Sequence, residues 1–335
     1  MSNGKKAVTI FDVAEISGVS VTTISRVLNA PEKVNQDTRK KVLQVIDELG
    51  FVPKADQRAR AKRLAGRIGV VTNYFYAPSF IQRLRGIAGA LSKAKLEMVI
   101  YTADSDEKLE GYISSLPILG NLDGLVILTH EISDEDALRL LKHKIPTVMI
   151  ERQHPLLNSI EIDDEAGGRL ATEFLISKGH RKIAFLGDND PGERPIPAVN
   201  IRLQGFRQSM KSANLEVPAG YVQFASFNED KAQETIRDLV TQANPPSAVF
   251  AGSDNAALQV IKACRKLGIK VPEQLAIIGF DDIDTARFEE LTTVRQHLDE
   301  SGQMAVEVLL AHINNASRPV QHVHLSLDIV ERATT

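Results

Sequence analysis

An arginine set among short polar side chains on one helix face is equipped to read base edges, and residues 21–29 supply such a face. Val21, Thr22, Thr23, Ser25, Arg26 and Asn29 share its outward side, small enough for the floor of a DNA major groove. Arg26 is suited to a bidentate contact with guanine O6 and N7. A merely solvated face would more often carry Glu and Lys. A second concentration of chemistry follows the first β-rich run of the remaining chain, where Tyr74, Phe75, Tyr76 and Phe80 account for four of 17 aromatics. Aromatic faces stack on the C–H faces of sugars, although the same residues also suit a subdomain core. Arg202, early in a predicted helix, is placed to grip hydroxyls or a carboxylate, or else to lie on the surface. Asp281 follows the apolar run 275–280, either at a strand end facing a crevice or as the N-cap of Ile283–Glu290.

Catalytic signatures are missing. No G-x-G-x-x-G follows a strand, and no phosphate-binding P-loop, nucleophile elbow or H-E-x-x-H appears. The eight histidines are scattered, and His180, before a strand, reads as structural. Cys264 is the only cysteine, which excludes an intrachain disulfide and a Cys-based zinc site. No enzyme activity, cofactor or metal is therefore expected.

The elements around Arg26 are legible from caps and spacing. Thr9 caps a helix over Ile10–Ser17 with Asp12 at its third position, and Gly18 supplies the turn. Ser20 caps Val21–Asn29, in which Val21, Ile24, Val27 and Leu28 fall on one face. A third helix, about Thr38–Leu49, aligns Val42, Val45, Ile46 and Leu49 before Gly50 ends it. Ala14, Gly18 and Ile24 have helix-turn-helix spacing: a small contact residue, a turn glycine, and an aliphatic beneath the second helix. Charge agrees. Residues 1–67 hold 13 basic and 7 acidic residues, whereas the rest of the 335-residue chain holds 27 and 36. A small basic head on a larger acidic body is the footprint of an attached nucleic-acid-binding module.

In the body, short β-rich runs alternate with helical periods. The strand candidates are Ile68–Thr72, Glu97–Thr102, Gly124–Leu128, Thr147–Glu151, Lys182–Gly187, Tyr221–Ala225, Ala248–Gly252 and Ala276–Gly279. Helices are predicted near Phe80–Lys95, Glu107–Leu116, Asp134–Lys142, Asp164–Lys178, Ile201–Asn214, Glu229–Thr241 and Ala256–Leu267. Two such series imply an α/β body of two doubly wound parallel-sheet subdomains, with ligand at the carboxyl ends of the strands. The expected division is a helix-turn-helix domain over 1–52, a charged segment over 53–66 and a body over 67–335. The latter splits into about 67–163 with 296–320, and about 164–295 with 321–335. Apolar residues are 43% and charged residues 25%, ordinary for a soluble globular chain. Without a membrane-length apolar run or a secretory signal, a cytoplasmic location with no membrane partner is expected.

The run VTIFDVAEISGVSVTTISRVLN over 8–29 resembles the LacI/GalR family of bacterial transcription regulators almost position for position. The likeness continues through VNQDTRKKV (34–42) and ELGFVP (48–53). In the body it is carried by DDEAGG (163–168), KGHRKIAFL (178–186), RLQGF (202–206), GFDDI (279–283) and LTTVRQ (291–296). The resemblance implies a periplasmic-binding-protein-like body, and makes 53–66 a hinge segment and 67–335 an effector-binding and dimerisation domain. It implies base reading by Val21, Thr22 and Arg26, with Thr9, Ser20, Asn29, Lys33 and Asn35 at or near phosphates. It makes Arg202 and Asp281 effector ligands, Phe227 an aromatic on the ligand, Ser253 a polar contact or helix N-cap, and Arg152 a crevice arginine. With Tyr74 and Phe80 these complete the effector-binding candidates. After Pro53 it implies a hinge helix entering the minor groove, with Lys54, Arg58 and Arg60 as its cationic candidates. Relatives carry a leucine wedge where this chain has Arg60, and Leu64 stands one helical turn further on.

The function implied is that of a dimeric repressor on a near-palindromic DNA operator, controlled allosterically by a small polar effector, a sugar above all. A sugar-binding transport protein lacking its export signal fits the body alone, but the helix-turn-helix counts against it. An enzyme of sugar metabolism has no motif in its favour.

Overall fold

The computed structural model describes residues 8–51, 66–73, 76–103, 105–189, 196–225 and 228–335. The head is three helices: α1 (Ile10–Ser17), α2 (Val21–Asn29) and α3 (Gln36–Leu49). Thr9 and Asp12 form a reciprocal capping box on α1, and the Ser20 hydroxyl accepts the Thr23 amide at 3.1 Å on α2. Gly18 takes φ 65°, a conformation in which a side chain would be strained, and so turns the chain sharply between α1 and α2. The helix α3 begins earlier than its apolar period, because Asn35 caps it by accepting the Thr38 amide at 2.8 Å. Val13, Ile24, Val27, Val42 and Ile46 make one buried core. Each such side chain contributes about 1.5–3 kcal/mol on burial.

Two compact units divide the chain, one comprising Met1–Glu161 with Asp299–Val323 and the other Ile162–Leu298 with His324–Thr335. The first holds β1 (Arg67–Thr72), α4 (Pro78–Lys93), β2 (Glu97–Thr102), α5 (Asp106–Leu119), β3 (Gly124–Leu128), α6 (Asp134–Lys142), β4 (Thr147–Ile150) and β5 (Asn158–Glu161). The second holds α7 (Asp164–Ser177), β6 (Ile183–Asp188), α8 (Pro197–Ser212), β7 (Val222–Ala225), α9 (Glu229–Val240) and β8 (Ala248–Ala251). It continues with α10 (Asp254–Leu267), β9 (Ala276–Asp281), α11 (Asp284–Phe288) and β10 (Thr292–Arg295). The long α12 (Leu298–Asn314) and the short strands β11 (His322–His324) and β12 (Asp328–Val330) follow.

The sheet orders are β11-β5-β4-β3-β1-β2 and β12-β10-β9-β8-β6-β7. The pairs from β1 to β5 and from β6 to β10 are parallel, and β12 is antiparallel to β10. Both sheets thus repeat one doubly wound order, and each has a topological switch point, between β1 and β3 and between β6 and β8. This is the fold class expected from the alternation. Several bounds differ from the periodicity. Both α4 and α8 start at a proline, whose missing N–H costs nothing at a first helical position. Arg202 therefore lies in the second turn of α8, not at its start. The strands β5, β10, β11 and β12 and the helix α12 were not among the expected elements. Strands of three or four residues are too short to show a period of two.

The helices α7 and α8 meet backbone to backbone. A Cβ on Gly168 would fall 2.1 Å from the Arg202 carbonyl oxygen, and one on Gly205 2.0 Å from that of Glu165. Only glycine fits such a crossing, and the crossing carries Arg202 onto Asp164. Among the described residues no helix is long and apolar enough to cross a membrane.

Candidate functional sites

On the head, Thr22, Ser25, Arg26 and Asn29 are exposed, while Val21 and Thr23 are half-buried. The amide of Asn29 donates to the Ser25 carbonyl at 2.9 Å, which steadies the polar face one turn from Arg26. Ser20, Lys33 and Asn35 are exposed and Thr9 is half-buried. Ser20 and Asn35 stand at the N-termini of α2 and α3, ends whose free amides and dipole favour an anion such as phosphate. The face therefore combines an exposed guanidinium, hydroxyls and two anion-favouring helix ends on a rigid pair of helices. The expected contacts at Lys54, Arg58 and Arg60, and the alternative at Leu64, lie outside the described residues, as do Tyr74, Phe75 and Phe227.

In the second unit, the carboxyl ends of the strands gather charge around Arg202, which is 4% exposed. Its Nε donates to Asp164 Oδ1 at 2.8 Å and its Nη1 to the Gly252 carbonyl at 2.7 Å. Asp281 Oδ1 lies 3.6 Å from Nη1, and the guanidinium stacks 3.7 Å from the centre of the Phe280 ring. Asp281 also accepts a hydrogen bond from Gln296. It is not an N-cap, since Ile283 occupies that position on α11. Asp281 and Asp282 hold φ of 129° and 57°, unusual for side-chain-bearing residues and costing on the order of 1–3 kcal/mol each. Arg295 and Arg332 hold Asp282 in place.

At the switch point of this sheet, Ser253 caps α10 through the Ala256 amide at 3.1 Å and donates its hydroxyl to Asp188, the last residue of β6. Burial pushes the Asp188 carboxyl up to about 6, against the opposing pull of Ser253 and Arg202. Asp254 is fully buried, and burial together with the Asp281 charge raises its carboxyl as well. Its oxygens accept from Thr293 Oγ1 at 2.5 Å and the Ile283 amide at 2.9 Å, tying the 281–283 turn to α10.

The corresponding end of the first sheet is also polar. Thr129 and Glu151 take φ of 62° and 67° immediately after β3 and β4. Thr129 Oγ1 donates to Asn73 Oδ1 at 2.9 Å across the switch point. The buried Arg83 pairs with Glu151. Arg152 is half-buried, donating to the Glu151 carbonyl at 2.9 Å with Glu131 3.9 Å away. Phe80 is half-buried in the first turn of α4, and Tyr76 is exposed. His180 bonds Ser247 Oγ at 2.9 Å, a structural partner.

Sequence reasoning thus singled out Arg202, Asp281 and Ser253 and missed Asp188, Asp164, Gln296, Arg83 and Glu151. Asp188 had a usable signal, because it directly ends the apolar run 183–187 at the first strand of the second series. With carboxylates of Asp164, Asp188 and Asp281 around one guanidinium, this end accepts hydroxyl hydrogens and disfavours an anion. No group of three or more metal-ligating side chains that could hold an ion occurs among the described residues.

A titration tests Asp188. Its carboxyl rises from 3.8 to about 6 on folding, so between those values the folded chain holds the proton the unfolded chain has lost. Stability of the unliganded protein should therefore fall as pH rises through that window, by about 1–3 kcal/mol, opposite to an ordinary paired carboxylate. Urea unfolding of the natural chain and of Asp188→Asn at pH 4 and pH 7 reads the difference, and equal pH dependence in the two would refute the burial.

Comparison with known proteins adds independent findings. A model of bacterial regulatory proteins of the lacI family matches residues 9–54, and a periplasmic binding protein-like domain matches residues 172–335. The ribose operon repressor of Escherichia coli (strain K12) is 32% identical over 97% of this chain and 99% of its own length. The structure of a transcriptional regulator CelR–cellobiose complex is 28% identical, covers 98% of this chain and 100% of its own, and has a TM-score of 0.68. The lac repressor dimer bound to operator and an anti-inducer is 25% identical, covers 98% of this chain and 99% of its own, and also has a TM-score of 0.68.

Proposed function

This chain belongs to the lacI family of bacterial regulatory proteins, and we propose that it represses transcription from a near-palindromic operator as a homodimer, under control of a neutral sugar. It is a DNA-binding regulator, not an enzyme. The observation that carries the sugar proposal is the buried Arg202 set among Asp164, Asp188 and Asp281 at the strand ends of the second unit. Hydroxyls donate to carboxylates and accept from a guanidinium, so a polyol satisfies this set without adding charge. The ribose and cellobiose named with two relatives are sugars of this kind. Arg202, Asp281, Ser253, Arg152, Phe80, Tyr74 and Phe227 remain our candidate effector contacts, with Asp188 added. In this scheme sugar shifts the chain between two arrangements only by its differential affinity for them.

Thermal denaturation of the full-length chain against neutral and phosphorylated sugars tests the proposal. A sugar present at a hundredfold excess over its Kd stabilises by about 2.7 kcal/mol. Ribose is the first probe. A shift produced only by phosphorylated sugars or other anions would refute the neutral-sugar assignment.

On the DNA side, we propose that the exposed face of α2 reads bases, with half-sites about one helical turn apart. Arg26→Ala should then cost about 1–3 kcal/mol and relax the preference at one base pair of each half-site. Binding-site selection with both proteins checks this. Equal losses on selected and random duplexes would assign Arg26 to phosphate instead.

A further inference from the structure

One stripe of α3 makes contacts that DNA reading does not use. Gln36, Arg39, Leu43 and Asp47 follow one another at intervals of three or four residues, and so share a helix face. Arg39 is 3% exposed, with Nη2 donating to Glu110 Oε2 on α5 at 2.7 Å and Nη1 to the Glu107 carbonyl at 3.5 Å. Gln36 Nε2 donates to the same Glu110 oxygen at 3.2 Å. At the other end of the stripe, Asp47 accepts from Arg139 Nη2 of α6 at 2.6 Å, and His143 Nε2 lies 3.0 Å from its second oxygen. Lys142 donates to the Asp47 carbonyl at 3.5 Å. Burial alone would raise the Asp47 carboxyl, but the hydrogen bond from His143 and the Arg139 charge hold it below its ordinary value. Between these charged ends the contact is apolar. Ile118 of α5, 1% exposed, packs into the head core with Val27 and Ile46, and Pro31 lies on Gly111.

These contacts set acid against the part of the head that attracts anions. Lys33 and the α3 N-terminus, capped by Asn35, are the exposed positive features there. Docking brings the Glu110 carboxylate, whose side chain is 43% exposed, onto Gln36, the next residue along, and neutralises Arg39. A DNA phosphate approaching the same end meets that carboxylate.

We propose that the α5–α6 surface is a docking site for the chain's own head, and that docking there competes with operator binding. A docked head meets DNA phosphate with the Glu110 carboxylate beside Gln36 and so binds poorly, and the apparent Kd is the intrinsic one divided by the undocked fraction. A docked population near 90% makes operator binding about tenfold weaker than the free head achieves.

Two variants on the body side separate competition from simple charge. Arg139→Gln removes a cation, which by charge alone weakens DNA binding, yet releasing the head is expected to tighten it about tenfold. Gly111→Ala leaves charge unchanged and favours the helix, while its methyl would stand 2.8 Å from Pro31 Cγ and push the head away. It too is expected to tighten binding. The measurement is fluorescence anisotropy of the full-length proteins on a duplex selected in vitro with the natural chain. Hydrogen exchange without DNA should show faster exchange of α3 amides in both variants. If either variant binds that duplex no more tightly than the natural chain, the competition is refuted.

Discussion

Replacing Arg202 by alanine is expected to destabilise the protein by about 3–5 kcal/mol and to abolish the response to sugar proposed above. The guanidinium is 4% exposed and serves Asp164, the Gly252 carbonyl and Asp281 together. Removing it leaves carboxylates 8–9% exposed without their cation, so desolvation is no longer offset. It also empties the space over the Phe280 ring. Arg202 thus supports the site as well as facing it, and its loss will not leave the rest of the chain untouched. Asp281→Asn is the contrasting variant. It keeps the shape and an acceptor for Gln296, and should weaken sugar binding with a smaller change in stability. Urea unfolding and titration calorimetry on both variants decide. If Arg202→Ala unfolds at the natural chain's midpoint, the three-way pairing carries no stability and the arginine serves ligand alone.

The second large effect lies in the head. Ile24→Ala should cost about 2–5 kcal/mol, because it opens a cavity under α2 where the natural side chain is wholly buried. A domain of roughly fifty residues has only a few kcal/mol in reserve. The head should therefore unfold and operator binding should be lost, while the stabilisation expected from the proposed sugar persists in the body. Anisotropy on operator DNA and thermal shift with sugar read the two responses separately. Loss of both would show that the head and the body fold as one cooperative unit.

Much of this architecture is written locally in the chain. Thr9 with Asp12, Ser20, Gly18 and Gly50 mark the ends of the head helices by caps and turns that act within four residues. The apolar period then makes Val27, Val42 and Ile46 core. The same locality made the strand and helix alternation of the body readable, and with it the two parallel sheets. Among the missed strands the local signal was weak, since β11 and β12 have three residues each, and α8 hid its first turn behind Pro197; the 17-residue α12 was missed despite its length.

What the sequence determined by itself was the alternation of the main strands and helices, the head's polar face and the strand end at which Asp281 lies. Only the tertiary structure decided the partners of the charged residues. Arg83 and Glu151 are 68 residues apart, Arg202 and Gly252 50, and Arg39 and Glu110 71. Such pairs depend on which helix faces which strand end, and that is settled by packing: by the glycine crossing of α7 on α8, and by Ile118 of α5 entering the head core. A charged residue read alone offers the same chemistry to water, to a ligand or to a partner. The desolvation imposed by the fold selects among them, since a buried charge is stable only beside the group that compensates it.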